Sequence, residues 1–151
     1  MAAPRSKEAV ALVWQFLASN REGVLSTHSV SRSGYPFGSL APYALTERGE
    51  PLLLLSDLAE HTRNLQADAR ASLFVREEGA IHAQAAMRVT LLGMVSPAPD
   101  DAALRERYVA RHPSAQAYFQ LGGFGLYVLH TEHLRVIERF GEMGWLSAPF
   151  D

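Results

Sequence analysis

The residues able to do chemistry fall into a few short segments. Ser56-Asp57-Leu58-Ala59-Glu60-His61-Thr62-Arg63-Asn64 lies where an aliphatic strand ends and a short helix begins. Backbone N–H groups at a helix start, with serine and threonine hydroxyls nearby, suit a phosphate, and His61 or Arg63 would add positive charge. The same residue types also serve as plain caps, with Ser56 or Asp57 closing the strand. Gly38-Ser39-Leu40-Ala41-Pro42-Tyr43 sets small residues within a strand. A flat ligand can lie against such backbone, and a barrel corner or bulge uses the same pattern. Arg88 opens an otherwise apolar strand, so its charge needs solvent, a carboxylate or a phosphate. Trp145 stands near Phe140 and Phe150, a cluster suited to a neighbouring subunit or a planar ligand.

Other chemistries are excluded or disfavoured. The histidines are His28, His61, His82, His112, His130 and His133, with no HExxH spacing among them. His130 and His133 would point to opposite faces of a strand, so no metal site is expected. There is no GxSxG elbow. Gly122-Gly123-Phe124-Gly125 lacks the strand–turn–helix setting of a dinucleotide loop and reads as a hinge. The absence of cysteine removes disulfides, thiolate metal centres, iron–sulfur clusters and a cysteine nucleophile. No side chain is expected to act as a catalytic nucleophile or general acid.

The frame that positions these segments is legible in the periodicity. The 151 residues, 48% hydrophobic and 20% charged, suit one globular domain. The formal charge of −2 lacks the basic excess of a nucleic-acid binder. Met1 to Glu8 carries no signal-like apolar run, and Leu52 to Leu55 is far too short to span a bilayer, so a cytoplasmic, non-membrane protein is expected. Val10, Val13, Trp14 and Leu17 mark a helix, with Pro4 and Ser6 as start signals. Strands are expected at Val24–Val30, Tyr35–Thr46 and Pro51–Ser56, the second interrupted by Pro36, Gly38 and Pro42 and so an edge, bend or bulge. Pro51–Ser56 reads as buried on both faces. A helix is expected over Asp57–Asp68, with Leu58, Thr62 and Leu65 on one side. Strands follow at Ala71–Arg76 and Arg88–Val95, while Glu77–Ala85 has no clear assignment. Asp100 caps a helix to about Arg111, and Ser114 caps a second through Leu121. Gly122-Gly123 forms a flexible joint. Two strands, Leu126–Thr131 and Leu134–Phe140, are expected around Glu132-His133. Meanders of this kind favour a small antiparallel barrel with flanking helices over a parallel sheet.

The order of the segments carries a resemblance. Gly23-Val24-Leu25-Ser26-Thr27, Tyr35-Pro36-Phe37-Gly38-Ser39, Leu55-Ser56 with His61-Thr62-Arg63-Asn64-Leu65, Arg70-Ala71-Ser72-Leu73 and Arg88-Val89-Thr90-Leu91-Leu92-Gly93 follow one another. This series resembles the pyridoxamine 5'-phosphate oxidase-like family of FMN-binding split barrels, nearest the branch of haem-utilisation and CREG-type proteins. The resemblance implies a mainly β, six-stranded antiparallel split barrel spanning residues 1–151, and a homodimer with FMN at its interface. It implies that Gly38, Ser39, Leu40 and Ala41 line the flavin and that Ser56, His61 and Thr62 lie at its phosphate. Asn64 would brace that turn, Arg88 would reach the cofactor from a neighbouring strand, and Trp145 would come from the partner subunit. Where relatives use a cationic pair at the phosphate, this chain has His61-Thr62. The substrate-phosphate residues of the oxidases and the extra C-terminal domain of haem-degrading relatives are not recognisable.

The expectation is an FMN-dependent oxidoreductase acting on a small molecule, with the cofactor carrying the redox chemistry. The alternatives are a split-barrel binding module without flavin, and a haem- or deazaflavin-binding relative. Haem would call for an axial histidine such as His28 or His61.

Overall fold

In a computed structural model the described residues are 7–82, 86–139 and 142–150. The expected helix start signals Pro4 and Ser6 lie outside them, as do Ala83–Ala85, Phe140 and Gly141.

Seven strands form one antiparallel sheet: β1 (Glu22–His28), β2 (Pro36–Leu45), β3 (Pro51–Ser56), β4 (Arg70–Arg76), β5 (Arg88–Pro97), β6 (Phe124–Arg139) and β7 (Glu142–Ser147). The sheet runs β3-β2-β1-β4-β5-β6-β7, and pairing of β3 with β6 closes the first six strands into a barrel. β7 is an additional strand on the far half of β6. The helices are α1 (Lys7–Ser19), α2 (Glu60–Ala67), α3 (Ala102–Arg111) and α4 (Gln116–Leu121).

Alternation along the strands builds the interior. In β5, Val89, Leu91, Gly93 and Val95 are buried while Thr90, Leu92 and Met94 face outward, the period of two expected for a strand. Leu25, Leu53, Leu73, Leu91, Leu129 and Leu134 are completely buried in the barrel core, and Val10, Val13, Phe16 and Leu17 of α1 join them. Each such leucine stabilises the fold by roughly 1.5–3 kcal/mol relative to exposure. A second cluster on the outer side of the sheet joins Ala44, Leu52 and Val128 to Tyr108 and Ala115. β3 therefore lies between two apolar layers, which is why its sequence is an unbroken aliphatic run.

Several expectations are revised. The helix expected over Asp57–Asp68 begins only at Glu60, and Leu58 is exposed, apart from the buried Thr62 and Leu65. Asp101, not Asp100, caps α3 by accepting from the Ala103 N–H at 2.8 Å; Asp100 pairs with Arg105 instead. Ser114 caps nothing, because Pro113–Ala115 is a 3₁₀ turn that leads into α4. Gly122 and Gly123 both take positive φ, and the Gly123 carbonyl accepts from the Asp57 N–H at 2.8 Å, so the joint is a fixed turn at the end of β3.

The two strands expected either side of Glu132-His133 are one continuous strand. Leu92 pairs with His133 and Gly93 with Thr131, leaving Glu132 as the extra residue of a β-bulge. Gly93 is required there. A Cβ at this position would lie inside the van der Waals envelope of the His130 carbonyl.

β2 is not an outermost strand, yet its prolines obey an edge rule. Tyr43 N–H donates to the Arg21 carbonyl at 2.9 Å and Ser29 N–H to the Tyr35 carbonyl at 3.0 Å. With the β1–β2 register, these bonds place Pro36, Gly38, Leu40 and Pro42 at positions whose N–H would point away from β1. β3 pairs only with Tyr43–Leu45, so Pro36–Pro42 has a ladder partner on one side alone.

Candidate functional site

The segment after β3 folds into a tight joint. Thr62 is completely buried and its hydroxyl donates to the Ser56 carbonyl at 2.6 Å. Ser56 Oγ accepts from the Leu58 N–H at 3.3 Å. Asn64 is also completely buried: its Nδ2 donates to Thr27 Oγ1 at 3.0 Å and its Oδ1 accepts from the Val30 N–H at 3.0 Å. These bonds tie α2 to β1 and to the end of β3. Asn64 thus braces the turn after β1, whereas the resemblance implied the turn at Ser56–Thr62.

His61 sits on the same helix with Nε2 covered and without a hydrogen-bond partner among the described residues. Burial lowers its pKa below the usual histidine value. The unfolded chain therefore takes up a proton before the folded one as pH falls. Stability rises with pH up to the ordinary histidine range and is lost below it. We expect His61→Gln to flatten the fall in melting temperature between about pH 7 and pH 5. Thermal melts across that range check this, and an unchanged slope would mean His61 does not contribute.

Along β2 the side chains alternate. Ser39 and Ala41 face the barrel interior, with Ser39 Oγ buried and unpartnered among the described residues, and Ala41 is part of the core. Gly38 and Leu40 face out, Leu40 strongly exposed. Tyr43 is structural: its hydroxyl donates to the Leu17 carbonyl at 2.6 Å, and its carbonyl accepts from His112 Nε2 at 2.6 Å. Burial pushes the Tyr43 phenol well above its usual range.

Arg88 and Trp145 lie elsewhere. Arg88 faces outward at the start of β5, which β1 and β4 separate from β2. Trp145 belongs to β7, a strand not among those expected from the sequence pattern. It is half-exposed, and the Arg135 guanidinium lies 5.4 Å from its ring centre. The register links one outward row from Leu40 through Val24, Phe74, Thr90 and Arg135 to Trp145. Leu40, Val24, Phe74 and Trp145 in this row are exposed apolar side chains. One chain therefore brings together Ser56, His61, Thr62 and Asn64, holds Gly38 and Leu40 on β2, and keeps Arg88 and Trp145 apart from both.

The outer face also carries a groove that none of the sequence motifs marks. It has a volume of about 390 Å3 and crosses β1, β4 and β5. Ser26, Ser72 and Gly93 contribute small residues to its lining, with His28, Arg70 and Met94 around them. Ser26 pairs with both Gly38 and Ser72, so the groove lies on the β1 side of β2, across from that strand's open flank. Glu132, displaced by the bulge, completes one wall. Arg70 is gripped by Asp68 through a fork of 3.0 and 2.7 Å, which holds the Asp68 carboxyl well below the usual carboxylate range. Two serines at outward positions of adjacent strands are the sequence signal for this floor, but their pairing emerges only with the register.

Among the described residues no helix is long and apolar enough to cross a membrane, and no cluster of three or more histidine, aspartate or glutamate side chains is placed to hold a metal ion.

Comparison with known proteins gives a consistent picture. A family model described as CREG, beta-barrel matches residues 4–149. The chloroplastic protein of Arabidopsis thaliana named Non-canonical heme oxygenase HOZ is 33% identical over 117 residues, 76% of this chain and 36% of that protein. The chain thus spans about a third of that relative's length. A solved heme binding protein from Mycobacterium smegmatis superimposes with a TM-score of 0.85 at 29% identity, covering 99% of this chain and 61% of the other. HutZ from Vibrio cholerae, described as a heme storage protein, shares the fold with a TM-score of 0.65 at 21% identity, over 91% and 92% of the two chains.

Proposed function

Since the chain belongs to the CREG β-barrel family, within the pyridoxamine 5'-phosphate oxidase-like split barrels, we propose that it binds haem on the outer face of its barrel. The observation that carries this reading is the groove beside β2. Its small-residue floor suits a flat ring, and its Leu92 and Met94 side chains offer apolar contact. The heme-related names of the Arabidopsis thaliana and Mycobacterium smegmatis proteins support the same ligand. Bound haem supplies a redox-active iron, which agrees with a chain in which no side chain stands out as a nucleophile.

An FMN-dependent oxidoreductase is the second reading. The open side of β2, with Gly38 and Leu40 presenting backbone amides, favours it. The phosphate end fits less well. Thr62 and Asn64 are buried and committed to internal hydrogen bonds, and His61 is held toward its neutral form, so this trio offers a phosphate dianion no fixed positive charge.

Either ligand would be completed by a second copy of the chain. Leu40, Val24 and Phe74 border a cavity of about 300 Å3 whose charged lining is Glu22, Glu77 and Glu78 with Arg76 among them. Arg135 and Trp145 lie at the other end of the same outward row, so a two-fold partner turned end for end sets its cation and ring against this acidic, apolar hollow. Arg88 and Trp145 then become available to the partner's ligand.

Haemin titration of the purified protein tests the reading in one sample. The expected result is a shifted Soret band that saturates at one haem per chain, on a particle of twice the chain mass by sedimentation. A yellow protein with flavin bands and no Soret response would favour FMN. A protein that responds to neither ligand would leave the binding-module alternative.

A further inference from the structure

We propose that a cavity between α1, β2 and α3 binds a small monocarboxylate with an apolar body, at a site separate from the groove above and independent of the haem reading. The cavity has a volume of about 330 Å3, at the small end of the range for ligand pockets. Its floor is apolar. Leu17, Tyr43 and Ala44 are buried there, and Leu45 and Ala110 extend it. The Tyr43 hydroxyl donates to the Leu17 carbonyl and the Tyr43 carbonyl accepts from His112, so this tyrosine offers the cavity its ring alone.

Two guanidinium groups line the same cavity. Arg107 and Arg111 stand four residues apart on α3, a spacing that puts them on one face, where like charges repel. Their partners are mostly neutral. Arg111 Nη2 donates to the Ala18 carbonyl at 3.2 Å and to the Asn20 carbonyl at 3.0 Å, where α1 ends. Its Nε and Nη1 have no bond among the described residues. Arg107 Nη1 donates to the Leu45 carbonyl at 3.3 Å, where β2 ends. These carbonyls fix the position of the guanidinium groups without cancelling their charge. Among the described residues no acidic side chain lines the cavity.

Two features reduce the charge. Glu47 Oε1 lies 3.8 Å from Arg107 Nη2 but is almost fully exposed, so it offsets that cation only in part. The carbonyl end of α1 is partially negative and draws on Arg111. What remains is roughly one positive charge, which suits a carboxylate better than a phosphate dianion. A planar carboxylate also matches the guanidinium fork, and an apolar body behind it covers the floor. Arg107, farther from the α1 end, carries more of the ligand's charge.

The test is titration of the full chain with sodium octanoate, below its micelle concentration, followed by amide chemical shifts. Saturable shifts are expected at Leu17, Leu45 and Ala110, with octanol and inorganic phosphate each binding about tenfold more weakly or worse. Arg107→Gln is expected to cost about tenfold in octanoate affinity. Ala110→Leu fills the cavity from an exposed helix position, keeps both charges and is expected to abolish binding. Thermal melts confirm that both variants fold. Octanol or phosphate binding as tightly as octanoate would overturn the proposal, as would Arg107→Gln binding within about twofold of the wild type. Shifts confined to other parts of the barrel, or no saturable shifts at all, would also overturn it.

Discussion

Gly93→Val is expected to lower the melting temperature by roughly 10 °C or more. The reason is local and severe. Gly93 sits opposite Thr131 at the β5–β6 bulge, and any Cβ there runs into the His130 carbonyl and its carbon. The obstacle is backbone, so no side-chain rotation relieves it. Overpacking against flexible neighbours costs about 1–3 kcal/mol, and a rigid obstacle takes this to the upper end or beyond. For a chain of this length each kcal/mol moves the melting point by about 2–4 °C. The bulge also sets Glu132 into the groove wall, so haemin binding is expected to fall in whatever fraction still folds. Thermal melts by circular dichroism check the first effect. A variant with an unchanged melting point would show that β5 and β6 can separate locally without cost.

Asn64→Ala comes next. The amide holds the Val30 N–H and the Thr27 hydroxyl, both at 3.0 Å, from a position with no solvent exposure. Removing it leaves these two groups without their partner, and an unsatisfied buried polar group costs about 1–3 kcal/mol. The expected loss is about 3 kcal/mol, measured as a drop in the denaturant midpoint with little change in slope. The loss should concentrate in the β1–β2 turn and α2, visible as faster amide exchange there while the far side of the barrel is protected. Uniform acceleration across all strands would mean instead that α2 and the barrel unfold as one unit. A loss below about 1 kcal/mol would mean that water or a repacked neighbour replaces the amide.

Much of this architecture can be read from the residues, and the exceptions have physical causes. Pro51–Ser56 has the same bounds in sequence and structure, because a strand between two apolar layers leaves an uninterrupted aliphatic run. The break expected at Glu132-His133 came from two polar residues inside an apolar pattern. A bulge produces that pattern without ending the strand, and only the pairing distinguishes the two. β7 escaped because it is short and carries glycine and serine, although its buried Gly144 and Leu146 alternate with exposed Met143 and Trp145. At the candidate site, the types Ser56, His61, Thr62 and Asn64 suit either an anion site or plain capping, and the structure shows a buried joint. What separates those readings is burial, and burial of a short polar helix depends on how α2 docks on β1, a contact between distant parts of the chain. The groove is harder still, since Ser26, Ser72, Gly93 and His28 become neighbours only through the register of three strands.

The one-sided stretch of β2 has a consequence for how the protein meets other chains. A strand with a vacant flank is a template on which a foreign or unfolded chain can grow a ladder, the first step toward fibrils. Here the amides that would face such an intruder belong to Pro36, Gly38, Leu40 and Pro42, and the two prolines have none to give. An incoming strand finds two adjacent donors bracketed by gaps, too short a run to hold it. The same two donors remain open to a small molecule that needs no more. The prolines act as gatekeepers that make this flank a poor template for an extended chain.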